Sequence, residues 1–168
     1  MTELEERILS LTAHKPQGRF LQIGAAYSTA DNEPCWNLLG KGWHGIFVEP
    51  NPRNSHGLMT TLIEQGYENQ FTVYNLAIAD TTGIRKFYMP RHYESCSSLR
   101  ADWLEKMAFL ENQDPGPVDT VYVLTTTLND LFRSTGTDID LISIDIEIDD
   151  IALEYTDPNV TVLGRGYI

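Results

Sequence analysis

Two apolar runs that end in a glycine and in an acid carry the chemical content of this chain. Arg19-Phe-Leu-Gln-Ile23 runs into Gly24, and Gly45-Ile-Phe-Val48 runs into Glu49, 25 positions after the glycine. A glycine turn at a strand end lets backbone come close to a ligand. An acidic side chain at the end of the next strand can accept hydrogen bonds from both hydroxyls of a ribose. Together they imply a nucleoside-like ligand. The other reading of Glu49 is a solvated carboxylate on a loop. A third run, Leu141-Ile-Ser-Ile144, ends in Asp145, with Glu147, Asp149 and Asp150 close behind. Those acids would also suit the first turn of a helix, where they complement its dipole. As oxygen ligands they could hold a hard cation, but their spacing matches no ligand pattern. His14, His44, His56 and His92 show no paired metal spacing either. His92 lies in a polar stretch where it could meet a substrate or simply face solvent.

Elements that would position these residues can be read from the apolar pattern. Thr2 to Leu11 predicts a short amphipathic helix with Thr2 and Glu5 as a capping box. Strands are expected at 20–23, 44–48, 71–78, 118–125 and 140–145, with a short extra one at 85–89. Helices are expected at 33–39, 54–65, 101–110 and 128–134, several of them stopped by glycine. Residues 90–118 read as irregular, broken by Asp114-Pro-Gly-Pro117. Strands alternating with helices argue for an α/β fold with a mostly parallel sheet and flanking helices. Ligands of such sheets bind beyond the carboxyl ends of the strands. Gly24, Glu49, Ala77 and Asp145 are expected on that one edge.

Composition narrows the function classes. The chain has 168 residues, 42% hydrophobic and 21% charged, which fits one globular domain with a sizeable core. Its net charge of −12, from 24 acidic and 12 basic residues, repels phosphate backbones, so nucleic acid is discounted as a partner. No run is long and apolar enough to span a membrane. The acidic N-terminus lacks an apolar signal core, and Cys35 and Cys96 read as reduced thiols, so a cytoplasmic protein is expected.

Five segments in order resemble the FkbM family of S-adenosylmethionine-dependent methyltransferases. They are Phe20-Leu-Gln-Ile-Gly24, Gly42-Trp-His-Gly-Ile-Phe-Val-Glu-Pro-Asn-Pro52, Asn75-Leu-Ala-Ile-Ala-Asp80, Thr125-Thr-Thr-Leu-Asn-Asp-Leu131 and Ile139-Asp-Leu-Ile-Ser-Ile-Asp-Ile-Glu147. Ser97-Ser-Leu99 resembles a further short motif. The resemblance implies a Rossmann-like class I methyltransferase fold, S-adenosylmethionine as cofactor, and O-methylation of a small-molecule or sugar acceptor. It places Gln22, Gly24, Ala26 and Ser28 in the cofactor loop. Glu49 would be the ribose acid, and Pro50 and Asn51 the wall beside the adenosine. The segment holding Ala77 and Asp80 would pass the adenine, although Asp80 also fits as the cap of the turn Thr81-Thr-Gly83. Asp145, near the transferred methyl group and also at the cofactor, and Glu147 would supply the carboxylates that take the acceptor hydroxyl's proton.

The chain departs from the family pattern at three places. Gln22 stands where an acid is usual and cannot pair ionically with the donor's ammonium group. Ser28 stands where a second glycine is usual. Ile148 replaces a glycine, and the sequence reaches only Ile168. The expected layout is therefore one domain over 1–168: an N-terminal helix within 1–17, a family-like core over 19–150, and a short tail over 151–168, the fold being C-terminally shortened. A sheet that stops there predicts a homodimer that pairs two exposed edges, or a segment 160–163 that folds back onto its own sheet. The alternative to an enzyme is a degenerate methyltransferase fold that binds a nucleoside ligand or a partner protein without turnover.

Overall fold

The computed structural model describes residues 3–26, 35–92, 96–111, 114–136, 138–146 and 161–164. In chain order the first elements are α1 (Glu3–Thr12), β1 (Arg19–Ile23), α2 (Trp36–Leu39), β2 (His44–Val48), α3 (Pro52–Glu64) and β3 (Phe71–Tyr74). Then come β4 (Ala77–Ile78), β5 (Gly83–Pro90), α4 (Ala101–Glu111), β6 (Val118–Thr126), α5 (Leu128–Thr135), β7 (Leu141–Ile144) and β8 (Thr161–Gly164). Five strands pair in parallel in the order β3-β2-β1-β7-β8. The direction of strand addition reverses between β1 and β7, which makes their carboxyl ends the switch point of the sheet. Thr161–Gly164 pairs with β7 of its own sheet, the fold-back arrangement.

Alternation along each central strand sends side chains to two apolar layers. Phe20, Phe47 and Leu141 pack with Ile8 of α1, Trp36, Leu38 and Leu39 of α2, and Leu58 and Leu62 of α3. Leu21, Ile23, Ile46, Val48, Ile142 and Ile144 pack with Leu128, Leu131 and Phe132 of α5 on the other face. Burial on both faces explains why these strands read as continuous apolar runs. Gly45 makes the first layer possible. A Cβ there would stand 2.6 Å from both the Phe20 and Phe47 rings, which meet edge to face at 5.4 Å.

Helix α3 begins two residues before its expected start. Asn51 is its N-cap, accepting from the Arg53 N–H at 3.0 Å, and Pro52 takes the first helical position. The expected strand over 71–78 is two strands in two sheets. On β2, odd-numbered N–H groups donate to β3, as Gly45 does to Gln70 and Glu49 to Tyr74. Even-numbered positions face β1. Beyond Glu49 both ladders lose their donor. Pro50 has no N–H, and the Asn51 N–H donates to the Glu49 side chain instead. The chain leaves β3 and forms β4, which pairs with β6 in a second sheet of order β4-β6-β5.

That second sheet is larger than the sequence implied. β5 and β6 pair antiparallel from Gly83↔Thr125 to Pro90↔Val118. Ala77, Phe87, Met89 and Val123 form its own apolar cluster. Asp119 of β6 joins it to the main domain by bonding Arg53 of α3 at 3.0 Å, and within the sheet it pairs with Arg91, just past β5, at 2.8 Å. No helix among the described residues is long and apolar enough to cross a membrane.

Phe47 is the side chain through which β2 enters the helix-covered layer. Phe47→Ala should lower the unfolding free energy by about 3–5 kcal/mol, read by urea denaturation. A loss below about 1 kcal/mol would show that the layer does not hold the sheet.

Candidate functional site

Backbone bonds hold the strand ends in register one residue past each strand. Gly24 N–H donates to the Val48 carbonyl at 2.9 Å, Glu49 N–H to Tyr74 at 3.0 Å, and Asp145 N–H to Ile23 at 2.9 Å. Gly24 adopts φ +78°, and a Cβ on it would lie 2.0 Å from the Asp145 carbonyl oxygen. The glycine is thus demanded twice, by its left-handed backbone and by the closeness of β7. Its open side meets the end of β7, and its N–H is already bonded within the sheet. Gly24 therefore brings two strand ends together.

Glu49 is 5% exposed, and its carboxylate accepts from the Asn51 N–H at 2.7 Å. Burial penalises its charged form and lifts its pKa to about 7, while the bond from Asn51 acts in the opposite direction. The solvated-loop reading of Glu49 fails on this burial. Pro50, half-buried, passes the chain toward α3. Asn75, which opens the segment expected to pass the adenine, donates its Nδ2 to the Glu49 carbonyl at 2.8 Å and the Pro50 carbonyl at 3.0 Å.

Among the described residues five buried side-chain polar atoms lack a partner, on Gln22, Asn51, Asn54, Gln70 and Trp103, and the first two belong to residues named above. Gln22 is 1% exposed, in register with Phe47 and Ser143, and its Oε1 accepts no hydrogen bond. Asn51 is 0% exposed, and its Nδ2 donates none. An orphaned buried polar atom is costly, of the order of 1–3 kcal/mol, so each is a place where a ligand group can be received.

Other sequence-predicted positions divide as follows. Ala26, half-buried, follows the Gly24 turn. Asp145 is exposed at the end of β7. Ala77 is not on the parallel sheet's edge; it packs in the second sheet with Phe87 and Val123, because the chain leaves β3 at Asn75. Asp80 lies on the surface turn before β5 and pairs with Arg85 at 2.9 Å. Ser28 and Glu147 lie outside the described residues. The exposed His92 ring covers Gly116, where a Cβ would come within 2.7 Å of it.

Two of the motif blocks are structural here. Thr125 Oγ1 donates to the Thr81 carbonyl at 2.9 Å, and Thr127 caps α5 by accepting from the Asp130 N–H at 3.1 Å. Ser98 forms a bridge with Tyr88 on the outer edge of β5.

A parallel, doubly wound sheet with a buried acid at the second strand end and a glycine at the switch point defines a Rossmann-like α/β protein. The family model described as the methyltransferase FkbM domain matches residues 22–147. The chain belongs to the FkbM methyltransferase family. A similar solved structure is the methyltransferase FkbM from Methylobacillus flagellatus KT, with 12% identity and a TM-score of 0.46, covering 80% of this chain and 27% of that one. The chain thus spans about a quarter of that protein's length. Among curated proteins none matches.

The buried Glu49 gives the fold a pH dependence. A carboxyl whose native pKa is raised holds its proton longer in the fold than in the unfolded chain. Its contribution to stability is complete below the ordinary value of 4.5 and is lost as pH rises through about 7. Between those values the chain should lose on the order of 3 kcal/mol. Glu49→Gln should flatten that part of a pH series of thermal melts. Parallel curves for the two proteins would show that Glu49 is hydrated in solution.

Proposed function

We propose that this chain is an S-adenosylmethionine-dependent methyltransferase acting on a hydroxyl of a small molecule or sugar. The carrying observation is the buried Glu49 carboxyl at the end of β2, beside the switch point that Gly24 closes against Asp145. The residues present fit the cofactor. The Glu49 carboxylate keeps lone pairs for two ribose hydroxyls. The unpartnered Gln22 Oε1 is an acceptor for an ammonium group, and the unpartnered Asn51 Nδ2 is a donor for a ligand oxygen.

When bound, S-adenosylmethionine supplies an electrophilic methyl group on a sulfonium. The chain's part is to bind and orient. Glu49, Gln22 and Asn51 hold the nucleoside and amino-acid ends, which accounts for much of the rate through positioning. Asp145, exposed on the same edge, takes the proton of the acceptor hydroxyl at a carboxylate oxygen. Glu147 is the second carboxylate of this proposal. A reading without turnover, as a nucleoside-binding protein, draws on Gln22, which offers the ammonium a dipole in place of a charge. A methyl-transfer assay separates the two readings once binding is established.

Calorimetry with S-adenosylhomocysteine tests the site. Hydroxyl donors favour the ionised carboxylate, so binding should expel a proton from Glu49. With its pKa at about 7, affinity should rise about tenfold from pH 6 to pH 8. Glu49→Gln should remove that rise and weaken binding at pH 8 by about 1.5–3 kcal/mol. No heat of binding from the wild type at either pH would end the methyl-donor reading.

Gln22→Met offers a second check. It deletes the orphaned acceptor at similar volume, so the ligand-free fold should gain about 1 kcal/mol while S-adenosylhomocysteine binds more weakly. Unchanged affinity would assign Gln22 to the core alone.

A further inference from the structure

We propose that Asn75 is a positioning residue for the Glu49 carboxylate, acting as a clamp on the two carbonyls of the turn that presents it. The inference rests on the reading of Glu49 as the ribose acceptor. One carboxamide nitrogen donates to two consecutive carbonyls, Glu49 at 2.8 Å and Pro50 at 3.0 Å. Only an NH2 group offers two hydrogens from one atom without carrying charge, which suits two convergent carbonyl oxygens.

The clamp acts where the sheet can no longer hold the chain. The last ladder bond of β2 is Glu49 N–H to Tyr74. Pro50 contributes a fixed φ and no donor. Asn51 N–H turns back onto Glu49 Oε1 at 2.7 Å and thereby sets the direction of the carboxylate. With both carbonyls drawn toward Asn75, the peptide between them cannot rotate, and the Asn51 N–H stays aimed at the carboxylate. Without the clamp, the Asn51 cap of α3 and the Asn51 N–H to Glu49 Oε1 are left to hold that end of the turn among the described residues.

Asn75 is itself exposed, so it contributes little to the apolar layers. Removing its side chain opens no core cavity. A role confined to ending β3 would touch stability and leave ligand preference alone. A role through Glu49 would change how the site reads the ribose.

The test compares S-adenosylhomocysteine with its 2′-deoxy analogue by calorimetry at pH 8. Wild type should prefer the ribo form by about tenfold, the worth of one hydrogen bond to a charged group. Asn75→Ala, and the isosteric Asn75→Asp that cannot donate, should bind the ribo form about tenfold more weakly. The deoxy form should change by no more than about twofold, so the preference collapses. Adding Asn75→Ala to Glu49→Gln should cause no further loss of preference. Two variants of different size ensure that a folded one, checked by circular dichroism, is in hand. If folded variants keep the wild-type preference, even with a lowered melting temperature, Asn75 serves the fold alone and the proposal is overturned. A wild type that binds both ligands equally removes the ribose reading itself, and the clamp with it.

Discussion

The meeting of β1 and β7 at Gly24 is the constraint on which the rest depends. The Asp145 carbonyl occupies the place where a side chain at position 24 would begin. Only with that place empty can Ile23 accept from Asp145 N–H while Gly24 donates to Val48. Those two bonds align the carboxyl ends of three neighbouring strands. The edge they form carries the acids that follow β2 and β7, Glu49 and Asp145, although they are far apart in sequence.

Glu49 is poised on that edge by opposing effects. Burial makes its charge expensive and lifts the carboxyl to about 7, and the single N–H from Asn51 offsets only part of that cost. The same Asn51 caps α3, so helix and carboxylate share one anchor. The unpartnered Gln22 Oε1 and Asn51 Nδ2 continue the pattern. Polar groups buried without partners cost the ligand-free fold stability, and a ligand that satisfies them recovers it. Sites of binding are where folds tolerate such costs.

The second sheet follows from the same turn. Once Pro50 and Asn51 withdraw their donors, β3 cannot continue beside β2, and residues 77–78 pair with β6 instead. Ala77 thereby leaves the parallel sheet for an apolar cluster with Phe87, Met89 and Val123. The Arg53 contact to Asp119 ties this sheet to the N-terminal end of α3, and Arg91, just past β5, holds the same carboxylate from within the sheet. These pairs are exposed, so their role is to set orientation more than to add stability.

The sequence alone determined the parallel α/β architecture, because strands buried on both faces must be continuous apolar runs and helices must alternate with them. It also placed Gly24, Glu49 and Asp145 at strand ends, since each directly follows such a run. The FkbM family was legible in the Glu-Pro-Asn-Pro and Thr-Thr-Thr-Leu blocks, although the structure gives the second a capping and tethering role. Tertiary structure decided what periodicity does not encode. A period of two says which face a residue takes and nothing about its partner strand, so the division of 71–78 was invisible. The burial of Glu49, the orphaned atoms of Gln22 and Asn51, and the Asn75 clamp all arise between segments distant in the chain. Each depends on distances of about one hydrogen bond, set only when the sheet closes around Gly24.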